Sequence, residues 1–216
     1  MIGVRKSSER VKNKNIKKFN DTTLLDLKIQ TLLKCKYIDK ILVTSDCNDM
    51  LNIAKKYDIL IDKREDYYAS SECPTREYFE YLGKICPCYN MIYCPVTSPF
   101  ITSEDYDNII KIYNDKNFNN SYDSITTVEE LNEFIYVNKK PLLFDSNNLP
   151  RSQDIKNIEK LTFGCSILPK YLVEKTSFIF GYKPYFYKFD NKLKNIDIDE
   201  EIDFTIAEIL YKNNLV

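Results

Sequence analysis

Short apolar runs alternate with stretches of helical periodicity along the first half of the chain. The apolar runs predict strands at 2–4, 41–44, 59–61 and 91–94, and the periodic stretches predict helices at about 22–33, 48–57, 74–84 and from 103 onward. Thr22 and Thr23 can cap the first helix, and Ser103 the fourth. This repeated order predicts an α/β fold, with a mainly parallel sheet covered by helices on both faces.

The pattern changes after about residue 121. Further strands are predicted at 124–128, 161–168 and 185–189, and a closing helix at 200–211. Apolar runs at 134–137 and 142–144 flank the polar triplet 138–140, which predicts a hairpin. We therefore expect one domain over residues 1–216, with residues 125–160 as a hairpin excursion. The excursion is either a contact between subunits or a flap on its own domain.

Composition excludes several chemistries. The 216 residues include no histidine, which removes Ser-His-Asp and Cys-His catalysis and His-rich zinc sites. The four glycines are too few and too scattered for the glycine-rich loops that bind dinucleotides or phosphates. No apolar run approaches the roughly 18 residues of a membrane span, so no membrane association is expected. The seven cysteines are expected to be reduced thiols in a cytoplasmic protein.

The net charge of −1 hides an uneven distribution. Residues 1–19 carry seven Lys and Arg against Glu9 alone, so the remaining 197 residues sum to −7. A basic arm for nucleic acid is one interpretation of the N-terminus. The acidic remainder would repel a polyanion, so no nucleic-acid partner is expected.

Three predicted loops combine residues suited to a phosphate ligand and a metal. Residues 5–15 follow the first strand and hold cations, hydroxyls and amides. Residues 95–99 place Thr97 and Ser98 between two prolines, and alternation in 196–199 puts Asp197 and Asp199 on one face. Taken alone, residues 5–15 also fit a solvated basic loop, residues 95–99 a plain turn, and residues 196–199 a solvated edge. Together they suit a triphosphate with magnesium, which would bridge the basic loop and the aspartate pair.

The chain resembles the acylneuraminate cytidylyltransferases, the CMP–sugar-acid synthetases, along nearly its whole length. Residues 3–15 are similar to the opening pattern P-A-R-x-G-S-K-R-I/L-P-N-K-N of that family, and residues 41–46 to its V-I/V-V-S-T-D strand. Further matches, in the same order along the chain, are Arg64 with the Arg of R-P-x-x-L-A, 97–99 with P-T-S-P, 151–154 with R-R-Q-D, and 196–199 with I-D-I-D.

This resemblance implies a three-layer, Rossmann-like nucleotidyltransferase fold and the transfer of CMP from CTP to a hydroxyl of a sialic-acid-like sugar acid, with release of pyrophosphate. It implies that Arg5, Lys14 and Asp199 are catalytic. The residues implied for nucleotide binding are Arg5, Ser8, Lys14, Asn15 and Arg64. For the acceptor acid they are Ser98, Arg151 and Gln153, and for Mg²⁺ they are Asp197 and Asp199. The hairpin corresponds in position to the element that pairs subunits in this family, which implies a homodimer.

Several positions depart from the family pattern. The Gly-Ser of the first motif is Ser7-Ser8, Pro95 stands where the family has Gln, Ser152 replaces one Arg, and the Asn-Gly of a later strand is Phe163-Gly164. Most of these changes fall on the acceptor side. Two alternatives therefore stay open: a different small acid, such as a phosphonate, as the acceptor, or a CTP-binding regulatory protein that has lost catalysis.

Overall fold

The structure is a computed structural model that describes residues 1–8, 10–115 and 121–215. Glu9 of the basic loop lies outside the described residues. Among the described residues, the strands are β1 (Ile2–Gly3), β2 (Lys18–Phe19), β3 (Thr22–Thr23), β4 (Leu42–Ser45), β5 (Leu60–Lys63), β6 (Asn90–Tyr93), β7 (Ser124–Glu130), β8 (Tyr136–Val137), β9 (Lys140–Pro141), β10 (Glu159–Pro169) and β11 (Pro184–Lys188). The helices are α1 (Leu24–Leu33), α2 (Asn48–Ala54), α3 (Thr75–Ile85), α4 (Ser103–Tyr113), α5 (Lys170–Thr176) and α6 (Glu201–Lys212).

Seven strands form the central sheet in the order β5-β4-β1-β6-β10-β7-β11. Met1 joins its two halves, because its ammonium donates to the Ile92 carbonyl (2.8 Å) and its carbonyl accepts from the Cys94 amide (3.0 Å). Within this sheet β10 is antiparallel to both neighbours, and the other six strands run parallel. The expected mainly parallel α/β sheet is confirmed.

Helices cover both faces of the sheet, as the alternation of apolar residues along its strands requires. Val43 and Ile167 belong to one buried cluster, which includes apolar residues of α1, α2, α4 and α6. Their neighbours Leu42 and Leu168 belong to the other, beneath α3 and α5. The molecule is therefore a three-layer α/β sandwich.

Side-chain caps fix where helices α1 and α4 begin. The Thr23 side chain accepts a hydrogen bond from the Asp26 amide and caps α1, as expected. The predicted cap of α4 at Ser103 was wrong by one residue. Thr102 and Asp105 form a reciprocal capping box there, and the Asp105 carboxylate accepts from the Thr102 amide at 2.8 Å.

The expected excursion leaves the sheet between β7 and β10, so residues 131–158 form it, while 125–130 and 159–160 lie in those strands. Its hairpin pairs β8 with β9. Asn138 and Lys139 have φ values of 49° and 63° at the turn, the left-handed pair that suits a two-residue hairpin loop.

Candidate active site

The three loops predicted from the sequence meet at the carboxyl end of the central sheet. The basic loop follows β1, and the 95–99 turn follows β6, its neighbour in the sheet. Segment 196–199 is extended but unpaired with a strand, and the Ile198 amide donates to the Thr97 carbonyl at 2.9 Å. This is the edge at which open α/β sheets bind ligands.

The basic loop lines a cleft of about 310 Å³ with Arg5, Ser8, Lys14 and Asn15. Lys14 and Asn15 are almost completely buried, and the Asn15 amide nitrogen donates to the Arg5 carbonyl at 3.1 Å. The loop turns without glycine because Asn13 adopts φ 55°, a left-handed conformation that asparagine tolerates. The structure thus brings together these four predicted nucleotide-binding residues.

A salt bridge joins the basic loop to the aspartate pair. Arg10 Nη2 lies 2.6 Å from Asp199 Oδ1, and Lys14 Nζ lies 3.8 Å from the same oxygen. The Lys14 ammonium also donates to the Ile198 carbonyl, and burial lowers its pKa although Asp199 and Asp197 oppose that shift. Cationic and acidic groups that are far apart in the sequence therefore form one site.

Asp197 and Asp199 line a second cleft, of about 600 Å³, together with Asp203. Ile198 between them is buried, so both aspartates face the cleft side of the extended segment. Partial removal from water raises the pKa of the Asp197 carboxyl, and the Asp199 carboxylate adds to the shift. Among the described residues, no cluster of three or more acidic or sulfur ligands is placed to hold a metal. Two carboxylates nevertheless fit Mg²⁺, which takes few protein ligands when phosphates complete its shell.

Arg64 lies in a third cavity, of about 300 Å³, which shares Gly3, Val4 and Arg5 with the basic cleft. Its side chain is 2% exposed, donates through Nη2 to the Val4 carbonyl and stacks on the Tyr78 ring at 5.1 Å. Within the described part of the chain, its Nε has no hydrogen-bond partner. A buried, unsatisfied donor that lines a cavity is suited to a ligand acceptor atom.

The predicted acceptor residues do not come together in one chain. Ser98 is buried in the 95–99 turn, and its carbonyl accepts from Lys28 Nζ at 2.8 Å. Arg151 and Gln153 lie on the exposed excursion, where the Arg151 guanidinium pairs with Asp154 at 2.8 Å. Neither Arg151 nor Gln153 lines any of the three cavities described above, and their role stays a prediction.

Three residues of the site were not selected from the sequence. Arg10 matches a family letter, but its partner Asp199 lies 189 residues away, so only the fold reveals the pair. Phe163 lines the aspartate cleft through an irregularity in β10 that no periodicity predicts. Lys28 could have been found, because it lies four residues from Leu24 and from Leu32 on the apolar face of α1.

Among the described residues, no helix combines the length and the apolar character needed to cross a bilayer.

Comparison with known proteins gives one relative that matches nearly the whole chain and one that matches part of it. A post-translational flagellin modification protein B from Campylobacter coli is 25% identical over 98% of this chain and 93% of its own length. A Helicobacter pylori protein described as pseudaminic acid cytidylyltransferase and UDP-2,4-diacetamido-2,4,6-trideoxy-beta-L-altropyranose hydrolase is 32% identical over 38% of this chain and 16% of its own length.

Solved structures share the fold at low sequence identity. A CMP:2-keto-3-deoxy-manno-octonic acid synthetase complexed with CTP has a TM-score of 0.67, with 8% identity over 99% of this chain and 97% of that one. A 4-diphosphocytidyl-2C-methyl-D-erythritol synthase from Anaerococcus prevotii has a TM-score of 0.62, with 14% identity over 98% and 95%. These likenesses support the nucleotidyltransferase fold.

The sequence pattern of one enzyme family matches the chain from its first residue to its last. That family is described as cytidylyltransferase, and the match covers residues 1–216. The resemblance read from the loop motifs is confirmed. The chain belongs to the cytidylyltransferase family and is a nucleotidyltransferase.

Proposed function

We propose that the protein transfers CMP from CTP to a hydroxyl of a nonulosonic, sialic-acid-like sugar acid and releases pyrophosphate in a Mg²⁺-dependent reaction. The contact of Arg10 and Lys14 with Asp199 carries the proposal, because it joins a phosphate-binding cleft to a carboxylate pair. The pseudaminic acid cytidylyltransferase named among the relatives and the flagellin modification protein support an acceptor of this class.

The nucleotide would lie along the first and third cavities. Arg5 and Lys14 would neutralise the triphosphate, with Ser8 and Asn15 orienting it by hydrogen bonds. Transfer at the α-phosphorus depends on charge neutralisation and in-line placement rather than on covalent catalysis, so no nucleophilic side chain is required. Arg64, with its unpaired Nε, would donate to the carbonyl edge of cytosine.

Asp197 and Asp199 would hold Mg²⁺ in the second cleft. When bound, the ion would neutralise phosphate oxygens and lower the pKa of the attacking hydroxyl. Asp199 would then give up its contact with Arg10, which frees that guanidinium for the phosphates. Asp203 stays available to position the segment, because its carboxylate accepts hydrogen bonds from the Asp199 and Glu200 amides.

The excursion would supply the subunit contact and the remaining acceptor residues. It exposes five large apolar side chains, namely Phe134, Tyr136, Val137, Leu143 and Leu149. Such a patch on a protruding hairpin fits a second copy of the chain. Ser98, Arg151 and Gln153 would bind the acid, with the arginine suited to a carboxylate. The seven cysteines are free thiols, which fits a reducing cytoplasm.

The test is a screen of CTP with a panel of nonulosonic acids and phosphonates, read by the mass of the CMP conjugate and by pyrophosphate release. Activity should require Mg²⁺ and fall by about 10²–10³-fold in Asp199→Ala. Asp58→Ala, at an exposed aspartate outside the site, is the matched control and should keep wild-type turnover. Equal pyrophosphate release from the two variants would overturn the metal assignment. A conjugate only with phosphonates would overturn the sugar-acid assignment.

A further inference from the structure

Strand β10 contains a bulge centred on a bulky residue in a left-handed conformation. The pairing register with β7 shifts between Leu161 and Ser166, and Phe163 within that interval has φ 55°. A large aromatic residue rarely adopts this backbone conformation, because its Cβ crowds the backbone there. The family pattern has Asn here, which accepts the conformation more easily. Phe163 is therefore retained at an energetic cost.

One hydroxyl holds both ends of the bulge in place. The Thr127 hydroxyl accepts from the Thr162 hydroxyl at 2.8 Å and from the Cys165 amide at 3.2 Å, and all three residues are buried. Between them, a Cβ at Gly164 would lie 2.6 Å from Cδ1 of Ile101, so a larger residue there would require the Ile101 side chain to shift. The conformation of Phe163 is thus imposed by its neighbours.

The bulge places Phe163 on the wall of the cleft that holds Asp197 and Asp199. The residue is 36% exposed, although its ring also approaches Phe178 at 6.3 Å. Elsewhere the lining is mainly charged or polar and includes two cations, Lys160 and Lys192. Imposed strain at a cleft is typical of a functional position, and an aromatic surface favours contact with an apolar group of the ligand.

We propose that Phe163 is a specificity-determining residue that selects acceptor acids with an apolar substituent, such as a terminal methyl or an acyl methyl, over acids with a hydroxylated one. This inference rests on the proposed function, which puts the reacting hydroxyl at the aspartate pair. An acceptor held there occupies the same cleft as the ring, which can contact a substituent away from the reacting carbon. A methyl group buried on the ring gains affinity that a hydroxymethyl group in the same place does not.

The experiment compares two nonulosonic acids that differ only by a methyl or a hydroxymethyl group at one position. The wild-type enzyme should prefer the methyl acid by about tenfold or more in kcat/KM. Phe163→Ala removes the ring and keeps the bulge, whereas Phe163→Asn removes the ring and relieves the backbone, so that folding is protected. Both should reduce the preference to about one while the KM for CTP stays within about twofold.

Phe186→Ala is the matched control, because this phenylalanine of the edge strand β11 has a similar exposure of 38%. The control should keep the wild-type preference. An unchanged preference in both Phe163 variants would overturn the inference, as would a change confined to Phe163→Asn, which would assign the effect to the backbone. If the wild-type enzyme forms no conjugate with any acid, the proposed function fails and the inference fails with it.

Discussion

Lys28 carries a buried positive charge directly beneath the active-site turn. The residue is 1% exposed, and its ammonium donates to the Ser98 carbonyl (2.8 Å) and to the Tyr106 hydroxyl (2.7 Å). The thiols of Cys35, Cys94 and Cys165 face it. The 95–99 turn is therefore held by an ammonium group that water does not solvate. The free-energy cost of burying that charge can be measured.

Burial lowers the pKa of Lys28 from 10.5 to about 8. Each pKa unit corresponds to about 1.4 kcal/mol, so the charged form costs the folded state roughly 3 kcal/mol at neutral pH. Above about pH 8 the folded protein releases this proton while the unfolded chain keeps it, so the free energy of unfolding rises with pH. Between pH 7 and pH 9 the rise from this one group is about 1.3 kcal/mol.

Replacing Lys28 by Met removes that pH dependence. At pH 7 the variant loses two charge-assisted hydrogen bonds but also the buried charge, so we expect a net destabilisation of about 0–3 kcal/mol. At pH 9 the wild-type protein bears a smaller part of this cost, and the difference between the two proteins should widen by about 1.3 kcal/mol. Urea unfolding of both proteins at the two pH values measures this change.

The Cys94 thiol must be removed from the comparison. Burial alone would raise its pKa, but the hydrogen bond with Cys165 and the charges of the N-terminus and Lys28 lower the pKa to about 7. Both proteins are therefore studied in a Cys94→Ala background, with the exposed Lys34→Met as the control for loss of a surface charge. The Cys94 charge is one of those that raise the Lys28 pKa, so its removal lowers that pKa further and the widening of about 1.3 kcal/mol is a lower bound. Unfolding free energies that change in parallel from pH 7 to pH 9 would refute the reasoning.

Two further substitutions probe the nucleotide clefts. Gly3→Ala would force the new Cβ into the Tyr78 hydroxyl and displace the Tyr78 ring from Arg64. The KM for CTP should therefore rise about tenfold, and the free energy of unfolding should fall by about 1–3 kcal/mol. An unchanged KM would contradict this arrangement. Arg10→Ala removes an exposed salt bridge, so the free energy of unfolding should change by less than about 1 kcal/mol. The kcat/KM for CTP should nevertheless fall at least about tenfold. A stability loss without a kinetic effect would assign Arg10 a structural role.

Loop position made the site predictable from the sequence. Parallel strands place their carboxyl ends at one edge, so the loops after β1 and β6 had to meet once the strand–helix alternation was recognised. Asp197 and Asp199 were assigned to the same site because segment 196–199 matches a family motif in the expected order along the chain. In the glycine-free basic loop, Asn13 adopts a left-handed φ, which a sequence pattern does not reveal.

Other features depend on contacts that no local pattern contains. The antiparallel direction of β10 follows from the way the chain returns after the excursion. Helix α5, of seven residues, directly follows the predicted strand at 161–168 and was not predicted. The bulge at Phe163 depends on a hydroxyl 36 positions earlier, at Thr127. The fold class could thus be predicted from periodicity, whereas the bulge that lines the aspartate cleft could not.

The charged groups of the candidate site compensate one another in a chain that has no histidine and only four glycines. Arg10 and Lys14 pair with Asp199 in the structure, so each sign of charge compensates the other. Phosphates alone would pair with the two cations and leave the carboxylates unpaired. Mg²⁺ alone would pair with the carboxylates and leave the cations unpaired. A triphosphate carrying Mg²⁺ supplies both partners at once, so the exchange leaves no charge uncompensated. On the proposed function, CTP and Mg²⁺ should therefore bind with positive coupling, each raising the affinity for the other.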